Sequence, residues 1–177
     1  MNKALSILVE LVKQSNISLT FKIIEVGALK IQDQDEPFYE LLDYFPSTKI
    51  IGFEIEKEIC EKMNSQAKEG VKYYSHALGK DNEQRKFYIT QNPMCSSLYK
   101  PNEELIKLYN NFEVAYLKKE TEIETISLDY FVKKHEVGDV DFIKIDVQGA
   151  ELDVFKGGSK TLKNVLKIVC EVEFIQH

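Results

Sequence analysis

Three short segments of this chain put acidic residues where a ligand site in an α/β protein would need them. They read Glu25-Val26-Gly27-Ala28, Phe53-Glu54-Ile55-Glu56 and Ile145-Asp146-Val147-Gln148-Gly149, and each closes an apolar run. Such runs, ending in an acid or a glycine, predict buried strands that feed turns. In an open α/β sheet, ligands bind beyond the carboxyl ends of the strands, where the strand order switches. An acid at the end of the second strand, here Glu54, accepts both hydroxyl protons of a ribose. Gly27 lets the backbone pass close to a ligand. Taken singly, each segment is as readily a solvated strand end; together, at successive strand ends, they point to one site.

The residues after Gly27 narrow the ligand. They are Ala28, Leu29 and Lys30, so the G-x-G-x-x-G turn that seats a pyrophosphate is absent. An adenosyl ligand without a diphosphate needs no such turn. This favours S-adenosylmethionine over a nicotinamide dinucleotide, and it disfavours a nucleotide-sugar enzyme.

Elements of regular spacing must position these groups. Residues 21–26 (FKIIEV), 48–53, 71–75 and 141–147 (DFIKIDV) predict strands, as do 123–128 and the alternating 165–174. Residues 85–90 (RKFYIT) predict a strand at the sheet edge or in an added hairpin. Between them lie predicted helices: one opened by the acids and Pro37 at 33–37, with Phe38, Leu41, Leu42 and Phe45 inward, and one over 56–68 with Ile59, Met63 and Ala67 inward. Further helices are expected at 102–111, 129–134 and 150–155, the last ended by Gly157-Gly158. Residues 1–16 predict an amphipathic N-terminal helix packed on the domain through Leu5, Leu8, Val9 and Val12. Alternation of strand and helix implies one α/β domain over 1–177, a doubly wound, mainly parallel sheet with its core at 21–177.

Composition bounds the partners. The 177 residues suit one domain, and 44% hydrophobic with 29% charged residues is ordinary for a globular chain. A net charge of −6 offers no basic field for nucleic acid or an anionic membrane. No run of about 18 apolar residues occurs, so no bilayer-spanning segment is expected. Cys60, Cys95 and Cys170 are odd in number and lack metal-type spacing, which suits reduced thiols in a cytoplasmic protein.

The run Val140-Asp141-Phe142-Ile143-Lys144-Ile145-Asp146-Val147-Gln148-Gly149-Ala150-Glu151 resembles the signature segment of the FkbM-type methyltransferases, K-I-D-V-E-G-A-E, with Gln148 replacing a Glu. IIEVGA (23–28), IGFEIE (51–56) and ETISLDYF (124–131) agree with the family in order and spacing, and HALG (76–79) and CSSLYKPN (95–102) match its weaker pattern. The first motif of many members, V-G-A-N-x-G, is here without its Asn and second Gly. The resemblance implies a Rossmann-like class I fold and S-adenosylmethionine-dependent methyl transfer to a hydroxyl of a sugar or natural-product small molecule. It implies that Glu25, Gly27 and Ala28 lie by the methionine and ribose, that Glu54 with Ile55 holds the ribose, and that His76 and Ala77 flank the adenine. Asp146 is then placed where donor and acceptor meet.

A hydroxyl acceptor needs a base. The candidates are Asp146 first, then Glu151 and His76. Glu151 equally suits a helix-start acid, and His76 a polar strand end. Ser96-Ser97 reads either as a substrate contact or as a turn cap. No metal ligand is assigned, and Gln148 leaves a divalent-metal requirement open. The class I fold ends in an antiparallel strand pair, whereas this chain ends at His177, after the strand expected to be fifth. Either the chain is truncated or that part of the fold is supplied otherwise. The rival reading is a non-catalytic binding or scaffold domain, suggested by the incomplete first motif and Gln148. Oligomeric state and the acceptor's identity are not fixed by these residues.

Overall fold

Strands whose side chains are apolar in both directions need cover on both faces. A computed structural model describes residues 3–15, 17–29 and 36–172 of the protein. In chain order the elements are α1 (Lys3–Ser15), β1 (Lys22–Val26), α2 (Leu41–Tyr44), β2 (Lys49–Phe53), α3 (Lys57–Ser65), β3 (Val71–Tyr74), β4 (Ala77–Gly79) and β5 (Glu83–Thr90). Then follow α4 (Glu103–Ile106), β6 (Leu117–Ser127), α5 (Leu128–Lys134), β7 (Phe142–Ile145), α6 (Glu151–Gly157) and β8 (Lys167–Cys170).

Five of the strands form one parallel sheet in the order β3-β2-β1-β7-β8. Alternation along β1 feeds two cores. Ile24 and Val26 join Phe53, Ile143, Ile145, Leu128, Phe131 and Val154 on the face covered by α5 and α6. Ile23 joins Ile50, Tyr39 and Leu42 on the opposite face, under α2 and the 3₁₀ turn Pro37–Glu40 that leads into it. Ala28, Cys60 and Tyr73 continue that face beneath α3. The sheet is therefore doubly wound, with strand order reversing between β1 and β7.

Several elements differ from their expected form. The strand at 85–90, expected at the sheet edge or in an added hairpin, pairs antiparallel with the strand expected at 123–128, in a second sheet of order β4-β6-β5. β6 starts earlier, at Leu117, because its register with β5 runs from Glu83↔Thr125 to Thr90↔Leu117 and the pairing, not apolar content, sets its length. The helix expected at 102–111 is α over Glu103–Ile106 alone, capped by the Asn102 side chain on Leu105 N–H (3.1 Å). Its apolar residues Leu108, Tyr109 and Phe112 stay exposed, so no tertiary face extends it. Among the residues of α1 whose burial is described only Val9 is buried, and Leu8, expected inward, is 39% exposed. The 33–37 helix start lies partly outside the described residues. The strand expected over 165–174 is β8, and no strand follows it among the described residues. Among those residues no helix is long and apolar enough to cross a membrane.

The second sheet is locked onto the first through α6. A Cβ at Gly157 would fall 2.1 Å from the Gly79 carbonyl, so the helix lies directly on the end of β4. Asp153, buried on the same helix, pairs with Arg85 Nη1 (3.2 Å) on β5 and accepts from Tyr99 Oη (3.0 Å). Asp153→Ala is expected to cost about 1–2 kcal/mol, because Arg85 and Tyr99 lose their shared buried acceptor on α6 while Arg85 keeps only Glu83 (3.5 Å). A lowered urea midpoint would show it; an unchanged one would assign the anchoring to apolar contact alone.

Candidate active site at the carboxyl edge of the sheet

Where strand order reverses, β1 and β7 diverge from a very close approach. Asp146 N–H donates to Val26 O (3.0 Å), and Gly27 turns away with φ +79°. A Cβ built on Gly27 would sit 1.9 Å from the Asp146 carbonyl oxygen. The crossing requires glycine on both counts, sterics and dihedral.

A cavity of about 740 Å³ opens there, inside the roughly 300–1,000 Å³ range of small-molecule sites. Glu25, Gly27, Glu54 and Ile55 line it from the ends of β1 and β2. His76, Ala77 and Asp146 complete the wall from the ends of β3 and β7. Ala28 does not line it: this residue is 2% exposed and packs against Cys60 and Tyr73. Glu151 also lies off the wall. Its Oε1 accepts the N–H groups of Val147 (3.0 Å) and Gly149 (3.1 Å), holding the loop in which Gln148 has φ +55°.

Register arranges one face of the wall. Tyr73, Gly52, Glu25 and Lys144 lie in a row across four strands. Gly52 leaves the space that the Tyr73 ring occupies, since a Cβ there would meet the ring at 2.4 Å. Tyr73 Oη thereby reaches Tyr39 Oη (2.8 Å), and Tyr39 donates to Glu25 Oε2 (2.7 Å). Burial first, then the Glu25 charge, pushes the Tyr39 phenol far up, so it stays a donor. Gly52→Ala is expected to displace the Tyr73 ring and destabilise the protein by about 1–3 kcal/mol. Its measure is a denaturant midpoint beside the mutant Tyr73→Phe, which keeps the ring and should cost less.

Charges around Asp146 are paired. Its Oδ1 accepts from Gln148 Nε2 (2.9 Å), which also reaches Glu171 Oε2 (3.2 Å). Lys144 Nζ lies 3.4 Å from Asp146 Oδ2 and 2.9 Å from Glu36 Oε1. Burial alone would raise the Asp146 carboxyl, but the hydrogen bond with Glu171, the Lys144 charge and the Gln148 amide outweigh it and hold it below the usual carboxylate range. Glu54 differs: burial dominates and lifts its pKa, although Oε1 accepts Glu56 N–H (3.0 Å). His76 is half-buried, and burial, then Lys134 and His135, lowers its pKa below the ordinary 6.5.

Sequence reasoning missed one wall of the cavity. Phe87 and Ile89 of β5, with Met94, Cys95, Ser96 and Ser97 beyond it, also line the cavity. The loop is pinned back on β5 by reciprocal backbone bonds between Tyr88 and Ser97 (2.8 and 3.1 Å). Ser96 Oγ accepts Thr90 N–H (3.2 Å), so it both shapes the turn and faces the cavity. The sequence signals for this wall were the Ser96-Ser97 pair and the CSSLYKPN segment that contains it. Lys144 and Glu36 also join the cavity wall, and neither spacing nor type singled them out.

A doubly wound parallel sheet in this order, with a ligand-sized cavity at its switch point, is the Rossmann-like architecture of methyltransferases. The family model described as Methyltransferase FkbM domain matches residues 25–177, and the chain belongs to that family. Comparison with curated proteins and with solved structures returns no match. Among the described residues no group of three or more His, Cys, Asp and Glu side chains is arranged to hold a metal ion.

Proposed function

We propose that this domain is an S-adenosylmethionine-dependent O-methyltransferase acting on a hydroxyl of a small molecule, a sugar or natural-product intermediate, in the cytoplasm. The observation that carries the reading is Glu54. It is a carboxylate only 9% exposed, lifted in pKa by burial, and turned into a cavity wall at the end of the second strand of the sheet. Backbone N–H groups of the adjoining turn leave such a carboxylate with acceptor capacity to spare, and a ribose diol supplies two further donors. The neighbouring Ile55, Ala77 and His76 offer the flat, mostly apolar surface that an adenine needs. S-adenosylmethionine, when bound, supplies a methyl group on a sulfonium.

The chain's own residues do the rest. Glu25, fixed by Tyr39, and Asp146, fixed by Gln148 and Lys144, present carboxylates that favour a cationic ligand. Asp146 accepts the hydrogen bond of the attacking hydroxyl and orients it. Glu151 is occupied with the loop backbone. His76, kept neutral near pH 7, is the side chain able to take the proton.

Calorimetric titration of S-adenosylhomocysteine tests the site. Binding is expected, and Glu54→Ala should weaken it at least about tenfold, because two charge-assisted hydrogen bonds of roughly 1.5–3 kcal/mol each are lost. Absence of binding to the wild type would support a scaffold domain instead. Unchanged affinity in the variant would move the cofactor elsewhere. A second test is the pH profile of kcat/KM. With His76 as base, its acid limb should fall below pH 6.5, and His76→Asn should remove that limb. A limb that survives in the variant takes His76 out of the proton path.

A further inference from the structure

An anion held at the edge of an α/β sheet needs a lysine or arginine, or backbone N–H groups left open at the strand ends. This cavity has spent most of its donors. At the end of β1 the Ala28 N–H donates to Phe53 O (2.9 Å), and beyond β3 the His76 N–H donates to Tyr74 O (3.0 Å). After β2, Glu54 Oε1 takes the Glu56 N–H (3.0 Å). After β7, Glu151 Oε1 takes those of Val147 and Gly149 (3.0 and 3.1 Å). Carboxylates of the chain itself thus sit on turns where a phosphate would otherwise be seated.

The charged side chains run the same way. Glu25, Glu36, Glu54, Glu56, Asp146 and Glu171 line the cavity, and among its described lining residues Lys144 is the only lysine or arginine. The Lys144 ammonium is already held by Glu36 (2.9 Å) and Asp146 (3.4 Å). Residues 30–35 and 173–177, outside the described structure, bring one lysine against three acids. Carboxylates therefore stay in excess whichever of them border the cavity. S-adenosylmethionine, with a single net positive charge, does not reverse that balance.

We propose that the methyl acceptor is a neutral or amine-bearing hydroxyl compound with an apolar body, and that phosphorylated and carboxylated compounds are turned away. This rests on the methyltransferase reading above and narrows its substrate. A phosphate or carboxylate entering here gives up hydration and meets carboxylates with no donor in return, whereas an ammonium meets them as partners. Phe87, Ile89 and Met94 on the same wall supply the apolar contact for the rest of the acceptor.

Charged relaxation probes test this before any acceptor is known. Two nitroxides of one ring framework, one bearing an amine and one a carboxylate, are added to the full chain, free and with S-adenosylhomocysteine bound. NMR then reads the relaxation of the Met94, Ser96 and Gln148 amide protons. The ratio of amine-probe to carboxylate-probe relaxation there should exceed the mean over amides away from the cavity by at least about threefold, and the excess should shrink as salt rises from roughly 0.05 to 0.5 M. For any hydroxyl compound that is methylated, a phosphate or carboxylate added away from the hydroxyl should lower kcat/KM at least about tenfold. A cavity ratio no higher than that of the remaining surface overturns the proposal, as does one indifferent to salt. An anionic derivative methylated as well as its neutral parent also overturns it. Failure of S-adenosylhomocysteine to bind would strike the methyltransferase reading instead, and the ratio on the free chain would still report the charge preference of the cavity.

Discussion

Asp146→Asn is expected to lower turnover by about two to three orders of magnitude while changing S-adenosylhomocysteine affinity less than about tenfold. The substitution keeps shape and removes charge. Asp146 lies at the end of a buried central strand, and its carboxyl is held ionised despite burial by Glu171, Lys144 and Gln148. It does not cap the helix that follows: α6 has no side-chain cap, and the loop N–H groups of Val147 and Gly149 go to Glu151. A purely structural role has therefore lost its most obvious form. Interactions that matter chiefly in the transition state appear in kcat rather than in ligand affinity. Turnover on any accepted hydroxyl substrate, measured beside calorimetry, separates the two. Near wild-type turnover in Asp146→Asn would remove the carboxylate from the mechanism.

Gly27→Ala should have the largest effect on the fold at the site. The added methyl would lie 1.9 Å from the Asp146 carbonyl oxygen, less than van der Waals contact by well over an ångström. The contact atom is backbone at the end of a central strand, so no flexible side chain can yield. A φ of +79° adds roughly 1–2 kcal/mol for any L residue. Together these imply a loss of at least about 3 kcal/mol, a large share of the roughly 5–15 kcal/mol that stabilises a domain. The ends of β1 and β7 must part, and the cavity between them goes with their spacing. Urea unfolding and S-adenosylhomocysteine titration on the same sample should both show the damage. Retained stability with retained binding would mean that the two strand ends do not meet as described.

How far these features could be read from the sequence depended on the range of the interaction behind each. The apolar runs at 22–26, 49–53 and 142–145 and the polar residues that close them were legible, because strand burial and strand termination are written in neighbouring residues. The missing glycines after Gly27 were legible too, since phosphate cradling is a local backbone property. The family resemblance in 140–151 was equally local, and the family match over 25–177 agrees with it. For β5 the sequence left two placements open, the sheet edge or an added hairpin, and only the structure shows it paired antiparallel with β6 in a separate sheet. An amphipathic strand can pair with any open edge, and which edge it meets is settled by the contact of α6 with β4 and the Asp153–Arg85 pair, partners far apart in sequence.

The composition of the site divides in the same way. Sequence alone determined the acids at successive strand ends, the glycine at the turn and the expectation that they converge, because topology rules carry strand ends to one edge. Tertiary structure alone decided what those acids experience. It gave Glu25 a phenol from Tyr39, reached through a Tyr73 ring that Gly52 leaves room for. It spent Glu151 on two backbone N–H groups and packed Ala28 away from the cavity. It held Asp146 ionised while lifting Glu54, two carboxylates of the same kind in a sequence. The reason is physical: residue type sets what a side chain can do, but burial and the charges within a few ångströms set its proton affinity and its free hydrogen-bonding capacity, and those neighbours come together only on folding.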